Sequence, residues 1–236
     1  MLNRLTGLLD ANDEARGLPT AVTEPRAAGL GIRDLDVRLP DGRPLLTDLD
    51  LELAGGASLL VKGASGSGKT TLLRSLAGLW PHVEGTVGRA EDVSTLFASQ
   101  QPYLPLGTLR TALAYPAPAE TLTDDEARDT LRAVQLGHLV DRLDEESDWT
   151  KTLSPGEQQR LTFGRILLTR PSLVFLDETT SALDEGMEHA MYELVRQRLP
   201  GCTIVSVGHR STLEVLHTDE LTLLGDGRWE VRTLVG

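Results

Sequence analysis

One cysteine, Cys202, occurs in 236 residues, which excludes an intrachain disulfide and is compatible with a reducing compartment. Long apolar runs are also missing. The longest stretches, Ser172 to Leu176 and Cys202 to Val207, fall far short of the roughly 18 to 20 residues that span a bilayer. No part of this sequence is expected to cross a membrane. Met1 to Asp10 holds one early arginine, but Asp10, Asp13 and Glu14 interrupt it before a signal-peptide core can form, and no targeting segment is expected. Basic residues are scarce beside acidic ones: 23 Lys and Arg face 35 Asp and Glu, a net charge of -12. A surface of that sign repels phosphate backbones, so nucleic acid is not an expected partner. What remains is globular in kind, with 40% hydrophobic and 25% charged residues. At about 150 residues per domain, the length gives one large domain or a domain with a subdomain.

Leu2, Leu5, Leu8 and Leu9 recur at helical spacing before the pattern dissolves into Gly17, Pro19, Pro25 and neighbouring small residues. Residues 1–28 therefore read as a short helix and a linker, and the main domain as 29–236. From Gly31 the period shortens. Ile32, Leu35, Val37 and Leu39 precede a turn at Pro40 to Gly42, and Leu45, Leu46, Leu49, Leu51 and Leu53 follow it, which predicts an antiparallel pair. Further strands are expected at 58–61, 93–97, 173–176, 203–207 and 221–224, mostly separated by helical patterns. Such alternation predicts an α/β fold with a mainly parallel sheet covered on both faces. Residues 108–170 have helical periodicity and no convincing strand, and are expected to form an inserted helical subdomain.

Gly63, Ala64, Ser65, Gly66, Ser67, Gly68, Lys69 and Thr70 fit G-x-x-x-x-G-K-[ST] between a strand and the helical run that starts at Thr71. In that context successive backbone N–H groups point at phosphate oxygens, Lys69 reaches the β- and γ-phosphates, and Thr70 offers a hydroxyl to Mg²⁺. The apolar run Leu173 to Leu176 ends in Asp177 and Glu178. A carboxylate at the C-terminal end of a parallel strand stands where ligands of such sheets bind. Asp177 is placed in the Mg²⁺ shell and Glu178 as general base toward water. These two motifs leave kinases, switch GTPases, helicases and transport ATPases open. Leu153 to Arg160 is a helix start, with Ser154 as cap, Pro155 at the first position and Glu157 completing a capping box. Ser154, the Gly156 N–H and the helix dipole also offer a second anion site that the chain's own phosphate loop does not need.

From about Gly31 onward the sequence resembles ATP-binding cassette (ABC) domains. Leu153 to Arg160 is similar to the family's signature motif. Ser181, Ala182, Leu183 and Asp184 are similar to its D-loop, Gln100 to its Q-loop glutamine, and His209 to its switch histidine. The resemblance implies a P-loop NTPase core with an N-terminal antiparallel β subdomain. It also implies head-to-tail pairing of two cassettes, each ATP lying between the phosphate loop of one and Ser154, Pro155, Gly156 and Glu157 of the other. Asp184 would help couple the two sites. Gln101 to Arg110 with Tyr115 and Pro116, Asp148 with Trp149, and Gly208 to Thr212 resemble the peroxisomal fatty-acyl (ABCD) transporters and their bacterial SbmA/BacA and YddA relatives. There a membrane domain precedes the cassette in one polypeptide, and Arg4 to Asp10 resembles the segment that leaves its last membrane helix. The implied setting is the cytoplasmic face of a membrane, the bacterial inner membrane, with ATP and Mg²⁺ as ligands. A soluble ABC protein without a membrane partner is the alternative. It commonly carries two cassettes or a coiled-coil insertion, and this sequence has one phosphate loop and no heptad run.

Two positions depart from the family pattern. Arg38, Leu39 and Pro40 stand where an aromatic residue usually stacks on adenine, so Leu39 contributes aliphatic contact only. Pro155 replaces the commoner glycine, which suits helix initiation and leaves the Ser154 and Gly156 contacts in place. Trp149 is expected to pack the helical subdomain, and Cys202 to be buried and inert. His82, His138, His189 and His217 have spacings unrelated to a metal set.

Overall fold

The computed structural model describes residues 21–26, 28–89 and 95–234. The expected helix over Leu2 to Leu9 lies outside them. Two sheets carry the architecture. The smaller has the order β1-β5-β2-β3 and is formed by Val22–Pro25, Val83–Arg89, Leu30–Arg38 and Pro44–Leu53. The larger has the order β12-β11-β4-β10-β9-β6, formed by Arg228–Thr233, Asp219–Gly225, Ser58–Gly63, Thr203–Val207, Leu173–Asp177 and Thr95–Ala98. All its neighbours pair in parallel except β12, which returns antiparallel on β11.

Period two sorts the side chains of the large sheet. Leu59, Val61, Leu173, Phe175, Val205 and Val207 face one layer, where helix α1 (Lys69–Leu76) brings Leu72, Leu73 and Leu76 and the small sheet brings Leu30, Ile32 and Leu35. Leu60, Val174, Leu176 and Ile204 face the other layer, with Phe163 and Ile166 of helix α5 (Pro155–Thr169) and Met191, Tyr192 and Val195 of helix α6 (Glu185–Arg198). Strands β9 and β10 are buried at every residue, as a doubly covered parallel sheet requires.

The β2–β3 pair confirms the expected antiparallel unit and explains its uneven spacing. Ile32 pairs with Leu51 and Leu35 with Leu49, with a register shift between them. Asp34 and Asp48 take up the extra residues in left-handed conformations, φ 48° and 50°. Each is held across the ladder: Asp50 accepts from the Asp34 N–H at 3.0 Å, and Asp36 from the Asp48 N–H at 2.9 Å. Bulges of this kind shift the side-chain phase by one residue, which returns Leu35 and Leu49 to the core.

Helices α2 (Leu109–Ala114), α3 (Asp124–Ala133), α4 (Trp149–Thr152) and the start of α5 fill the helical segment. Two sequence expectations need correction here. Val22–Pro25, read as linker, is an edge strand paired in parallel with β5, because the backbone polar groups of the β5 edge accept a further partner. The helical segment is not strand-free: β7 (Gly107–Thr108) pairs with β8 (Glu146–Ser147). Trp149 sits above that ladder, 1% exposed, donating Nε1–H to the Gly107 carbonyl at 3.0 Å. Cys202 is buried, and burial pushes its thiol up to about 12.

A polar chain crosses the second layer. His217 Nδ1 lies 2.7 Å from the Leu213 carbonyl, which fixes the proton there, so Nε2 accepts from Ser206 Oγ at 3.0 Å. Ser206 in turn accepts from the Tyr192 hydroxyl at 2.9 Å. Burial lowers the His217 pKa to about 4, with Arg196 and Lys62 adding to the effect. An unfolded histidine titrates near 6.5, so between these values the unfolded chain binds the extra proton. Stability should be full above pH 6.5 and decline as pH falls toward 4, by on the order of 3 kcal/mol from this group. Denaturation midpoints measured from pH 7 to pH 4.5 should show that decline, and His217→Gln should flatten it. An equal slope in the variant would assign the decline to other groups.

Candidate functional site

Strand β4 delivers Gly63 to the carboxyl edge of the large sheet, and helix α1 begins six residues later at Lys69. The loop between them closes tightly on itself. A Cβ at Gly63 would stand 2.6 Å from Ser67 Oγ and 2.8 Å from the Leu223 carbonyl. Gly68 caps α1 at φ 96°, where a side chain would press on Leu45. Ser67 Oγ is buried with no hydrogen-bond partner among the described residues, an orphan that a phosphate oxygen would satisfy. Lys69, 7% exposed, donates through Nζ to the Gly63 and Ala64 carbonyls at 3.0 and 2.9 Å. An ammonium has three donors, and the third is left for an anion. The loop borders an open cleft of about 330 Å³. Leu39 and Leu45 give it aliphatic walls, Ser65, Gly66, Thr70 and Thr71 line the loop side, and Glu178 and His209 also border it.

Asp177 ends β9 at 7% exposure and accepts from Thr70 Oγ1 at 3.0 Å. Burial raises its pKa above the ordinary carboxylate range, Glu178 adds to the rise, and Thr70, Arg74 and Lys69 oppose it. Two hard oxygen donors beside a phosphate loop suit Mg²⁺, which commonly takes one or two protein oxygens and fills its shell with water and substrate phosphates. The described residues contain no cluster of three or more His, Cys, Asp or Glu able to hold a metal by themselves.

Glu178 has a left-handed backbone, φ 51°, while its N–H stays bonded to the Val207 carbonyl at 3.2 Å. Such a conformation costs a non-glycine residue roughly 1 to 3 kcal/mol. It turns the carboxylate out of the sheet, where Gln100 Nε2 meets Oε2 at 3.1 Å and His209 Nε2 meets Oε1 at 3.2 Å. Gln100, the adjacent pair Asp177 and Glu178, and His209, drawn from the ends of three strands, thus converge beside Lys69 and Thr70.

The signature residues are not part of that cleft. Ser154 caps α5, accepting from the Glu157 N–H, while Glu157 accepts from the Ser154 N–H at 2.9 Å. Pro155 holds the first helical position. Gly156 lies under the D-loop, where a Cβ would stand 3.2 Å from the Ala182 carbonyl. Asp184 caps α6 through the Met187 N–H at 2.8 Å.

Sequence reading missed the residues that tie these loops together. Gln159 donates to Ser181 Oγ at 3.0 Å and to the Gln100 carbonyl at 3.4 Å, and accepts from the Ala182 N–H at 2.9 Å. One buried amide therefore joins the signature helix to both loops. Arg165, whose pKa burial lowers to about 10, donates to the Ala112 and Tyr103 carbonyls and holds α2 against α5. The signal for Gln159 was its phase, since it precedes Phe163 and Ile166 on the buried side of α5. Gln159→Leu should lower stability by roughly 1 to 3 kcal/mol by stranding the Ala182 N–H. It should also slow nucleotide hydrolysis while leaving nucleotide Kd unchanged. Thermal melts with a binding titration check this, and wild-type turnover would separate the amide from loop placement.

Fold and cleft together define a P-loop nucleoside-triphosphate-binding domain. Residues 46–181 match the ABC transporter family. An ABC transporter ATP-binding protein of Haemophilus influenzae is 46% identical over 96% of this chain, and the human lysosomal cobalamin transporter ABCD4 is 39% identical over 93%. The chain belongs to the ABC transporter family as an ATP-binding domain, and such domains are ATPases. It spans 38% of the length of each of these two relatives. Among solved structures, a bacterial Atm1-family ABC exporter with ATP bound has a TM-score of 0.76 at 23% identity, covering 97% of this chain and 44% of that one, a likeness of fold. No helix among the described residues is long and apolar enough to cross a membrane.

Proposed function

We propose that this domain hydrolyses MgATP between two copies of itself and thereby drives a membrane domain joined upstream in the same polypeptide. The observation that carries the reading is the Glu178 carboxylate, bracketed by Gln100 and His209 at the rim of the phosphate cleft. A carboxylate so held can take the proton of an attacking water. Backbone N–H groups of residues 64–70 and the third Lys69 donor bind the β- and γ-phosphates. Thr70, Asp177 and Gln100 would hold Mg²⁺, which would offset charge on the phosphates. His209 donates toward the γ-phosphate, and Leu39 packs on the base.

Ser154, Pro155, Gly156 and Glu157, which do not line the chain's own cleft, serve the nucleotide of the second cassette, with Ser181 to Asp184 lying between the two sites. Residues 29–236 form the cassette, with residues 108–170 as its helical subdomain and Val22–Pro25 added to the edge of its small sheet, and the rest of residues 1–28 lead from the membrane domain. The relatives support this arrangement through their names as transporters and their greater length. The cytoplasmic face of a bacterial inner membrane is the setting that follows.

Glu178→Gln should keep MgATP binding and lower turnover by about 10² to 10⁴, the usual worth of general-base assistance. Single-turnover hydrolysis with a parallel binding titration measures both, and near-normal turnover would remove Glu178 from this role.

Sharing of sites is tested by complementation. Ser154→Arg and Lys69→Ala should each be inactive, yet their mixture should recover part of the activity, because one composite site per mixed dimer is intact. Mixed dimers confirmed by mass spectrometry but lacking activity would refute the shared site.

A further inference from the structure

Glu188 is a carboxylate that the proposed chemistry does not use, and it is 1% exposed. It sits in the first turn of α6, in phase with Met191, Tyr192 and Val195, where an apolar residue would be the simple choice. Each of its two oxygens has a partner. Oε1 accepts from the Thr180 hydroxyl, and Oε2 accepts from the Thr212 hydroxyl at 3.2 Å, with the Arg210 guanidinium 3.7 Å away. Arg210 extends the network by donating to the Leu183 carbonyl at 2.7 Å and the Ser181 carbonyl at 3.3 Å.

These partners belong to two loops whose spacing matters for the reaction. Thr180 follows Glu178 by two residues and opens the D-loop, whereas Arg210 follows His209 directly and Thr212 lies two residues beyond that. A buried charge stays only where it is paired and hydrogen-bonded, so neither loop can shift without stranding Glu188. Beside this network runs a small cavity of about 120 Å³ bordered by Glu178, His209, Arg210, Ser181 and Glu188, space in which both loops could relax once the tie is cut.

We infer that Glu188, through Thr180, Thr212 and Arg210, is a positioning residue that fixes the Glu178 to His209 distance and the shape of the D-loop together. The inference rests on the proposed roles of Glu178 and His209 in hydrolysis. It extends them to a pair of residues that do not line the phosphate cleft.

Glu188→Gln keeps the side-chain shape and removes the charge, and Arg210→Met removes the bridge to the D-loop. Each should lower kcat by about 10- to 100-fold, the scale of loss that a misplacement of about an ångström produces, with KM and Kd for ATP within about twofold of wild type. The double variant should be no slower than the worse single variant, because both cut one network. Amide hydrogen exchange of the nucleotide-free chain provides a readout independent of turnover. Exchange should quicken in both 178–184 and 208–213 while 190–198 stays protected. Additive kcat losses, or faster exchange confined to α6 with both loops unchanged, would overturn the inference. If the wild-type chain bound ATP without turning it over, the hydrolytic reading would fail, and the exchange pattern alone would then decide whether Glu188 ties the loops.

Discussion

Burying a parallel strand on both faces leaves it one place to meet polar chemistry, its end. Leu173 to Leu176 have no solvent on either side, so charge first enters at Asp177, the last residue of β9, and at Glu178 just after it. The same constraint acts on β4, which emerges as the phosphate loop, and on β10, after which comes His209. Because β4, β10 and β9 are neighbours in parallel register, their exits lie side by side at one edge. The site is therefore a property of the sheet before it is a property of any loop. The loops add precision by cross-bonding to one another through Gln159 and Arg210.

Strain is concentrated at the same edge. Glu178 holds an unfavourable backbone angle, and Asp177 holds a carboxylate whose burial opposes its charge. Ser67 keeps a buried hydroxyl without a partner among the described residues. The last two of these costs would fall with a triphosphate and a divalent cation in the cleft: the orphan hydroxyl gains an acceptor, and the buried carboxylate gains a counter-charge. The domain without ligand thus stores part of the free energy that binding releases.

What could be read from the sequence was what is contiguous in it. The phosphate loop, the Asp177 and Glu178 pair and the Ser154 cap each lie within a few residues, so spacing alone identified them. The paired bulges in β2 and β3 were not read from the sequence: the three-residue steps from Ile32 to Leu35 and from Leu46 to Leu49 interrupt a period of two, and their cause, reciprocal Asp caps across the ladder, appears only in the structure. Gln159 and Glu188 escaped because their partners lie far along the chain or on other elements, and a polar residue in an apolar phase is only a hint until its partners are seen. Val22–Pro25 was taken for linker because its four residues carry little apolar pattern. Its strand identity comes from the open edge of β5, not from its own composition.

That edge strand has a mechanical meaning. The β1–β5 ladder runs Val22 with Thr86 through Pro25 with Arg89, continues through the Arg26 N–H on the Arg89 carbonyl, and is flanked by ion pairs from Arg26 to Glu52 and from Arg33 to Glu24. Tension applied along the backbone ahead of Val22 would load those bonds in shear, all at once, instead of peeling them open in turn. Four short hydrogen-bonded pairs and two ionic ties then act as a clamp. Force entering the domain from that side would pass into β5 and the small sheet before it reached the nucleotide cleft.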